Sequence, residues 1–282
     1  MATFTVLADI AKEVSCGQVR VESITKPGAE IHGYEFTPSD LKRAQDAQLV
    51  LENGLDLDQW ARRFTANLGN VPHVVLSQGI ETLPIKPVNQ SLTAGDLPKA
   101  NPHAWMSPKA ALTYVANIRE AFIRLDPANA STYQSCAASY AKRLGELDAE
   151  LAASLAQIPP DKRLLVTCEG ALSYLARDYG LEEAWLWPVN GERQVTPKRM
   201  ERVINKVRDR RLPAVFCEST VDDRAQQRVA AESGARLFGT FYVDSLSGPR
   251  GPATSYLDLM RHNVSLLVEG LTSGTPLTAP SQ

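Results

Sequence analysis

The chain has 282 residues, of which 44% are apolar and 22% charged, enough to bury real cores over about two domains at the usual ~150 residues each. Against 32 Asp and Glu stand 30 Lys and Arg, and the net charge of −2 argues against nucleic acid, which would want a basic face. No run of about 18 apolar residues is present to span a membrane, and the cysteines Cys16, Cys136, Cys168 and Cys217 form no CxxC pair, which disfavours a zinc ribbon or a thioredoxin-type site.

The first element in chain order is the apolar run 4–8, which reads as a buried strand. Nothing before it has the basic start, long apolar stretch and small-residue cleavage site of an export signal. Either the protein is cytoplasmic, or such a signal has been removed. The short apolar runs 48–51, 74–77, 164–168, 214–217 and 237–243 also read as buried strands. Helices are expected between them. Pro38-Ser39-Asp40 opens one, Pro108 another with Ser107 as cap, and Pro197 a third capped by Thr196. Strand–helix alternation predicts an α/β fold with largely parallel sheets.

Residues 128–158 hold no Pro and a single Gly, Gly145, among strong helix formers. They predict one helix of roughly 45 Å at ~1.5 Å per residue, with a break at Gly145 as the alternative. Pro159-Pro160 ends it. The expected organisation is an N-terminal α/β lobe over 1–127, a long rigid connecting helix over 128–158, and a C-terminal α/β lobe over 159–282. Each lobe carries a mostly parallel sheet flanked by helices. The Pro- and Gly-bearing stretches 77–101 and 245–253 read as loops.

Histidine is scarce enough to weigh one by one. His32 and His103 each precede a helix start, where a side chain can face a cleft, though each taken alone reads more readily as a structural histidine than as a ligand. His73 begins a strand and His262 lies in the last helix; neither reads as a ligand. Three acids end apolar strands: Glu169, Glu218 and Asp244. Ligands gather at the carboxyl ends of strands in open α/β sheets, but such acids can also cap the next helix. No GxxxxGK[ST], HExxH, GxSxG or GxGxxG is present, so nucleotide and hydrolase readings lose their strongest supports.

Several unusual segments follow one another in order: Lys26-Pro27-Gly28-Ala29-Glu30-Ile31-His32, Pro38-Ser39-Asp40 through Asn53-Gly54-Leu55, Asn101-Pro102-His103-Ala104-Trp105, Thr167-Cys168-Glu169-Gly170-Ala171-Leu172-Ser173-Tyr174-Leu175, Glu218-Ser219-Thr220, and Tyr242-Val243-Asp244-Ser245-Leu246-Ser247. Together they resemble the metal-binding solute-binding proteins of ABC importers, over roughly residues 4–271, and most closely the chelated iron and manganese branch. The resemblance implies two α/β lobes joined by a long helix. It implies four metal ligands, His32, His103, Glu169 and Asp244, with the metal held between the halves. It also implies delivery to a membrane permease with its ATPase, a monomer with no catalytic site, and a periplasmic or otherwise extracytoplasmic location, the export segment having been trimmed ahead of Met1.

Two neutral imidazoles and two carboxylates would neutralise a divalent cation. Mixed nitrogen and oxygen ligands suit Mn²⁺, Fe²⁺ and Zn²⁺. Zinc-dedicated relatives add a third histidine and a His- and acid-rich loop, which this chain lacks, so manganese ranks first. Tyr34, Asn53, Trp105, Trp187, Glu218 and Ser245 lie in the matching loops as candidates for orienting the ligands. Cys168 and Cys217 each precede a strand-end Glu. They form a disulfide if their strands are neighbours, and are buried thiols otherwise. Cys16 and Cys136 read as unpaired or surface residues. The rival readings are a metal-dependent hydrolase on the same four residues and a surface adhesin.

Overall fold

The computed structural model describes residues 1–69, 71–85, 99–189 and 195–273. The described chain is α/β, with helices flanking short parallel strand pairs. It divides into two compact units. The first comprises Met1–Thr82, Ser107–Asp148 and Asp244–Leu259; the second comprises Leu83–Met106, Ala149–Val243 and Met260–Gln282.

In the first unit the chain starts extended, with Ala2 bridging both Ser23 and Leu51 in parallel. Helix α1 (Thr5–Ser15) follows at once. This corrects the strand expected at 4–8. The buried stripe runs through Val6, Leu7, Ile10, Ala11 and Val14, which is helical spacing, and a five-residue apolar window cannot tell that from a strand. Helix α2 (Pro38–Arg43) starts where Pro38 predicts, closed by a capping box in which Asp40 and Thr37 satisfy each other's backbone N–H groups. Strand β1 (Val50–Glu52) pairs in parallel with β2 (His73–Val75), Val50 lying opposite His73. Asp58 stands before helix α3 (Gln59–Ala66) and accepts hydrogen bonds from the N–H groups of Asn53 and Gly54, fixing the turn that leaves β1. Gly54 is essential there: its φ is +83°, and a Cβ would overlap the Val75 side chain. Trp60 and Phe64 of α3 pack with Ile24, Tyr34 and Phe36 in an aromatic cluster.

Helix α4 (Pro108–Leu125) is capped by the Ser107 hydroxyl as expected and packs against α1. Helix α5 (Ala130–Leu155) has 26 residues, about 39 Å of rise, and runs unbroken through the exposed Gly145. Its residues up to Asp148 belong to the first unit and the rest to the second. Cys16, at the end of α1, is bridged to Cys136 of α5, which corrects the reading of both as unpaired. They stand 120 residues apart, a separation from which no pairing can be deduced.

In the second unit β3 (Leu164–Glu169) pairs in parallel with β4 (Glu182–Trp187), and β5 (Ala214–Glu218) with β6 (Arg236–Phe241). Strand β4 escaped the sequence reading because Glu-Glu-Ala-Trp-Leu-Trp has no β-branched residue. Strands β3 and β5 are neighbours. The fully buried Gln226 of α8 (Arg224–Ser233) donates to carbonyls of both, at Val166 and Phe216. Helices α6 (Ser173–Tyr179) and α7 (Pro197–Asp209) complete the flanks, α7 capped by Thr196. Helix α9 (Tyr256–Thr272) closes the described chain. The 77–101 loop is described only at its ends, where Pro84 bridges Ala100; residues 86–98 lie outside the described residues.

Candidate metal centre

His32 and Asp244 belong to the first unit. His32 rides on a loop gripped from several sides. Gly28 makes the left-handed turn at φ +83°. The Glu30 carboxylate accepts the N–H groups of His32 at 2.6 Å and Gly33 at 2.9 Å. The Trp60 indole donates to the Ile31 carbonyl at 2.8 Å. Asp244 opens the segment leading to α9, and the next residue, Ser245, accepts the Gly28 N–H at 2.7 Å. The outcome is His32 Nε2 at 3.8 Å from Asp244 Oδ2, with side chains only 7% and 3% exposed. That is too long for a hydrogen bond, yet below twice a metal–ligand bond of about 2.1 Å, so one ion can be reached by both.

His103 and Glu169 belong to the second unit, and both are buried. Asn101 Oδ1 accepts the His103 backbone N–H at 3.1 Å and lies 2.9 Å from Nδ1. A side-chain oxygen there requires the proton on Nδ1, which leaves the Nε2 lone pair for a metal. The Asn101 amide in turn donates to the Gly170 carbonyl at 2.7 Å, next to Glu169. Trp105 is fully buried, tilted against the His103 ring at 5.0 Å, and donates to the Val243 carbonyl at 2.9 Å. Glu169 ends β3 opposite Trp187 of β4. Its N–H donates to Glu218 Oε1 at 3.3 Å, and one residue upstream Cys168 and Cys217 form a disulfide with Cα atoms 5.1 Å apart.

The remaining candidates hold backbone and packing. The Tyr34 hydroxyl donates to Asp40 at 3.0 Å and its ring packs on Trp60. Burial and the Asp40 carboxylate raise the Tyr34 pKa. Burial pushes the Asp40 pKa up, but hydrogen bonds from Thr37, Arg43 and Tyr34 outweigh it and hold it at about 2. Asn53 accepts from the Tyr114 hydroxyl at 2.5 Å and shapes the turn after β1. Trp187 is buried, and its carbonyl accepts the Gly170 N–H. His73 starts β2, exposed, and His262 Nε2 lies 3.0 Å from the Thr240 carbonyl. Glu30 and Asn101 were missed by sequence reasoning. Each stands two residues before a ligand candidate, the offset at which Asn or an acid engages nearby backbone, and that signal was available.

The family model described as the periplasmic zinc-uptake complex component A matches residues 1–270. The iron-binding protein YfeA of Yersinia pestis is 46% identical over 270 residues, covering 96% of this chain and 85% of that protein. The manganese ABC transporter substrate-binding lipoprotein PsaA of Streptococcus pneumoniae is 31% identical over 278 residues, covering 96% and 88%. Among solved structures, the Mn-bound periplasmic metal-binding protein of Candidatus Liberibacter asiaticus matches with a TM-score of 0.85 and 35% identity, covering 96% of this chain and 98% of that one. The zinc-uptake component A family consists of solute-binding proteins of ABC importers, not enzymes, and this chain belongs to it.

Proposed function

We propose that the protein captures one divalent transition metal outside the cytoplasm and hands it to a membrane permease driven by an ATPase. The ligands in this reading are His32, His103, Glu169 and Asp244. The observation that carries it is the buried imidazole–carboxylate pair His32–Asp244, 3.8 Å apart, in a chain of this family. An imidazole nitrogen and a carboxylate oxygen at that separation can both reach a single divalent ion.

Manganese ranks first and Fe²⁺ and Zn²⁺ follow. The donor set is nitrogen and oxygen without thiolate, both second-unit cysteines being tied in a disulfide. The relatives' names mention iron and manganese and the family description mentions zinc, so the ion is decided by competition. Trp105, Glu218 and Ser245 orient ligands, with Tyr34, Asn53 and Trp187 supporting the loops behind them. The protein acts as a monomer. The hydrolase reading is set aside by the family.

Elemental analysis of the purified protein, then competition among Mn²⁺, Fe²⁺ and Zn²⁺ on stripped material, tests this. About one metal per chain, lost in His103→Ala, is expected. No stoichiometric metal under any condition would overturn it.

A further inference from the structure

We propose that Thr5 is a positioning residue of the metal centre, its hydroxyl holding the two ligand-bearing segments of the first unit to helix α1. The proposal rests on the reading of His32 and Asp244 as ligands.

Thr5 is the first residue of α1 and is buried. Its Oγ1 accepts the Leu246 N–H at 2.8 Å and lies 3.4 Å from the Ser245 hydroxyl oxygen. Ser245 spends its own proton on the Leu246 carbonyl at 2.9 Å, so the Thr5 proton goes to Ser245 Oγ. The same Ser245 oxygen accepts the Gly28 N–H at 2.7 Å. Thr5 thus ties Ser245–Leu246, directly after Asp244, and through Ser245 the loop that carries His32.

Helix α1 is a firm anchor. Its apolar face is buried, it packs on α4, and its end is bridged to α5 through Cys16–Cys136. One turn beyond Thr5, Asp9 accepts the Tyr256 N–H at 2.7 Å. Residues four apart share a helix face, so α1 clamps the 244–256 segment at both ends. Inside the clamp Ser247 closes the loop by accepting the Ala253 N–H at 3.0 Å. Losing the Thr5 oxygen would leave the Leu246 N–H buried without its acceptor, and the segment would shift to recover one, carrying Asp244 away from His32.

The test compares Thr5→Val, which keeps the shape and loses the hydroxyl, with Thr5→Ser, which keeps the hydroxyl. Mn²⁺ is titrated into stripped protein, and each variant is also made in an Asp244→Asn background. Thr5→Val is expected to weaken Mn²⁺ binding about 10- to 100-fold, as loss of a ligand-orienting partner does. Thr5→Ser should stay within about threefold of the parent, and in the Asp244→Asn background Thr5→Val should cost a smaller factor than in the parent, the remainder acting through the His32 loop. Parental affinity for Thr5→Val, or the same factor lost in both backgrounds, would overturn the proposal. If Thr5→Val does not fold, Thr5→Ala, which also removes the hydroxyl, takes its place with the same expectation. Unchanged binding in Asp244→Asn alone would instead remove the ligand reading itself, and the Thr5 proposal with it.

Discussion

Asn101 Oδ1 lies 2.9 Å from His103 Nδ1 and 3.1 Å from the same residue's backbone nitrogen. One amide therefore sets both the ring orientation and the tautomer of a ligand candidate, while its NH₂ group holds the Gly170 carbonyl beside another. Replacing Asn101 with Ala should weaken Mn²⁺ binding about 10- to 100-fold while His103 itself remains. Calorimetric titration reads this directly, and unchanged affinity would mean that the ring needs no such partner.

Metal binding requires neutral imidazoles. Protons compete with the ion for its nitrogen and oxygen ligands, so acidification should release it. A dye-competition titration from pH 8 to pH 4 checks it, using about ten points across the range. Affinity that stays flat down to about pH 4 would point to ligation by carboxylates alone.

Two bridges cross-link the chain, Cys16–Cys136 over 120 residues and Cys168–Cys217 over 49. Loop-closure entropy puts their worth at about 5 and about 4 kcal/mol, upper figures that native-state relaxation reduces. Reduction should add about 4 Da to the intact mass and lower the denaturant midpoint clearly. Equal masses before and after reduction would disprove the pairing.

Asp9 caps α9 through the Tyr256 N–H, and burial lifts its pKa to about 6 from 3.8 against that hydrogen bond. Glu13 and Asp258 lift it further, and Lys12 opposes. The folded protein therefore holds this proton more tightly than the unfolded chain. The stability this provides is present in full below about pH 4 and is lost as pH rises through about 6, of the order of 3 kcal/mol at most. Asp9→Asn should remove that loss, because its amide oxygen can still accept the Tyr256 N–H. The variant should unfold at higher denaturant than the parent at pH 7, and the gap should close toward about pH 4. A variant less stable at pH 7 would show that the charge on the α9 terminus outweighs its burial.

Much of this was legible in the sequence where local chemistry speaks for itself. Thr37, Ser107 and Thr196 cap helices where Pro38, Pro108 and Pro197 announce them. The β-branched runs ending at Glu169 and Glu218 are strands whose acids stand at their carboxyl ends. The illegible parts depend on partners distant in the chain. Helix α1 looks like a strand until its stripe is followed to Val14. Cys16 gives no hint of Cys136. Thr5 is an ordinary threonine until folding brings Leu246 to it, 241 residues away.

The most direct test of the account is Mn²⁺ titration of metal-stripped protein, parent against His32→Ala, His103→Ala, Glu169→Ala and Asp244→Ala. The account predicts about one site per chain in the parent and a loss of at least about 100-fold in each variant, with the fold intact by circular dichroism. Parental affinity in any of the four would contradict it, because that residue would then not be a ligand.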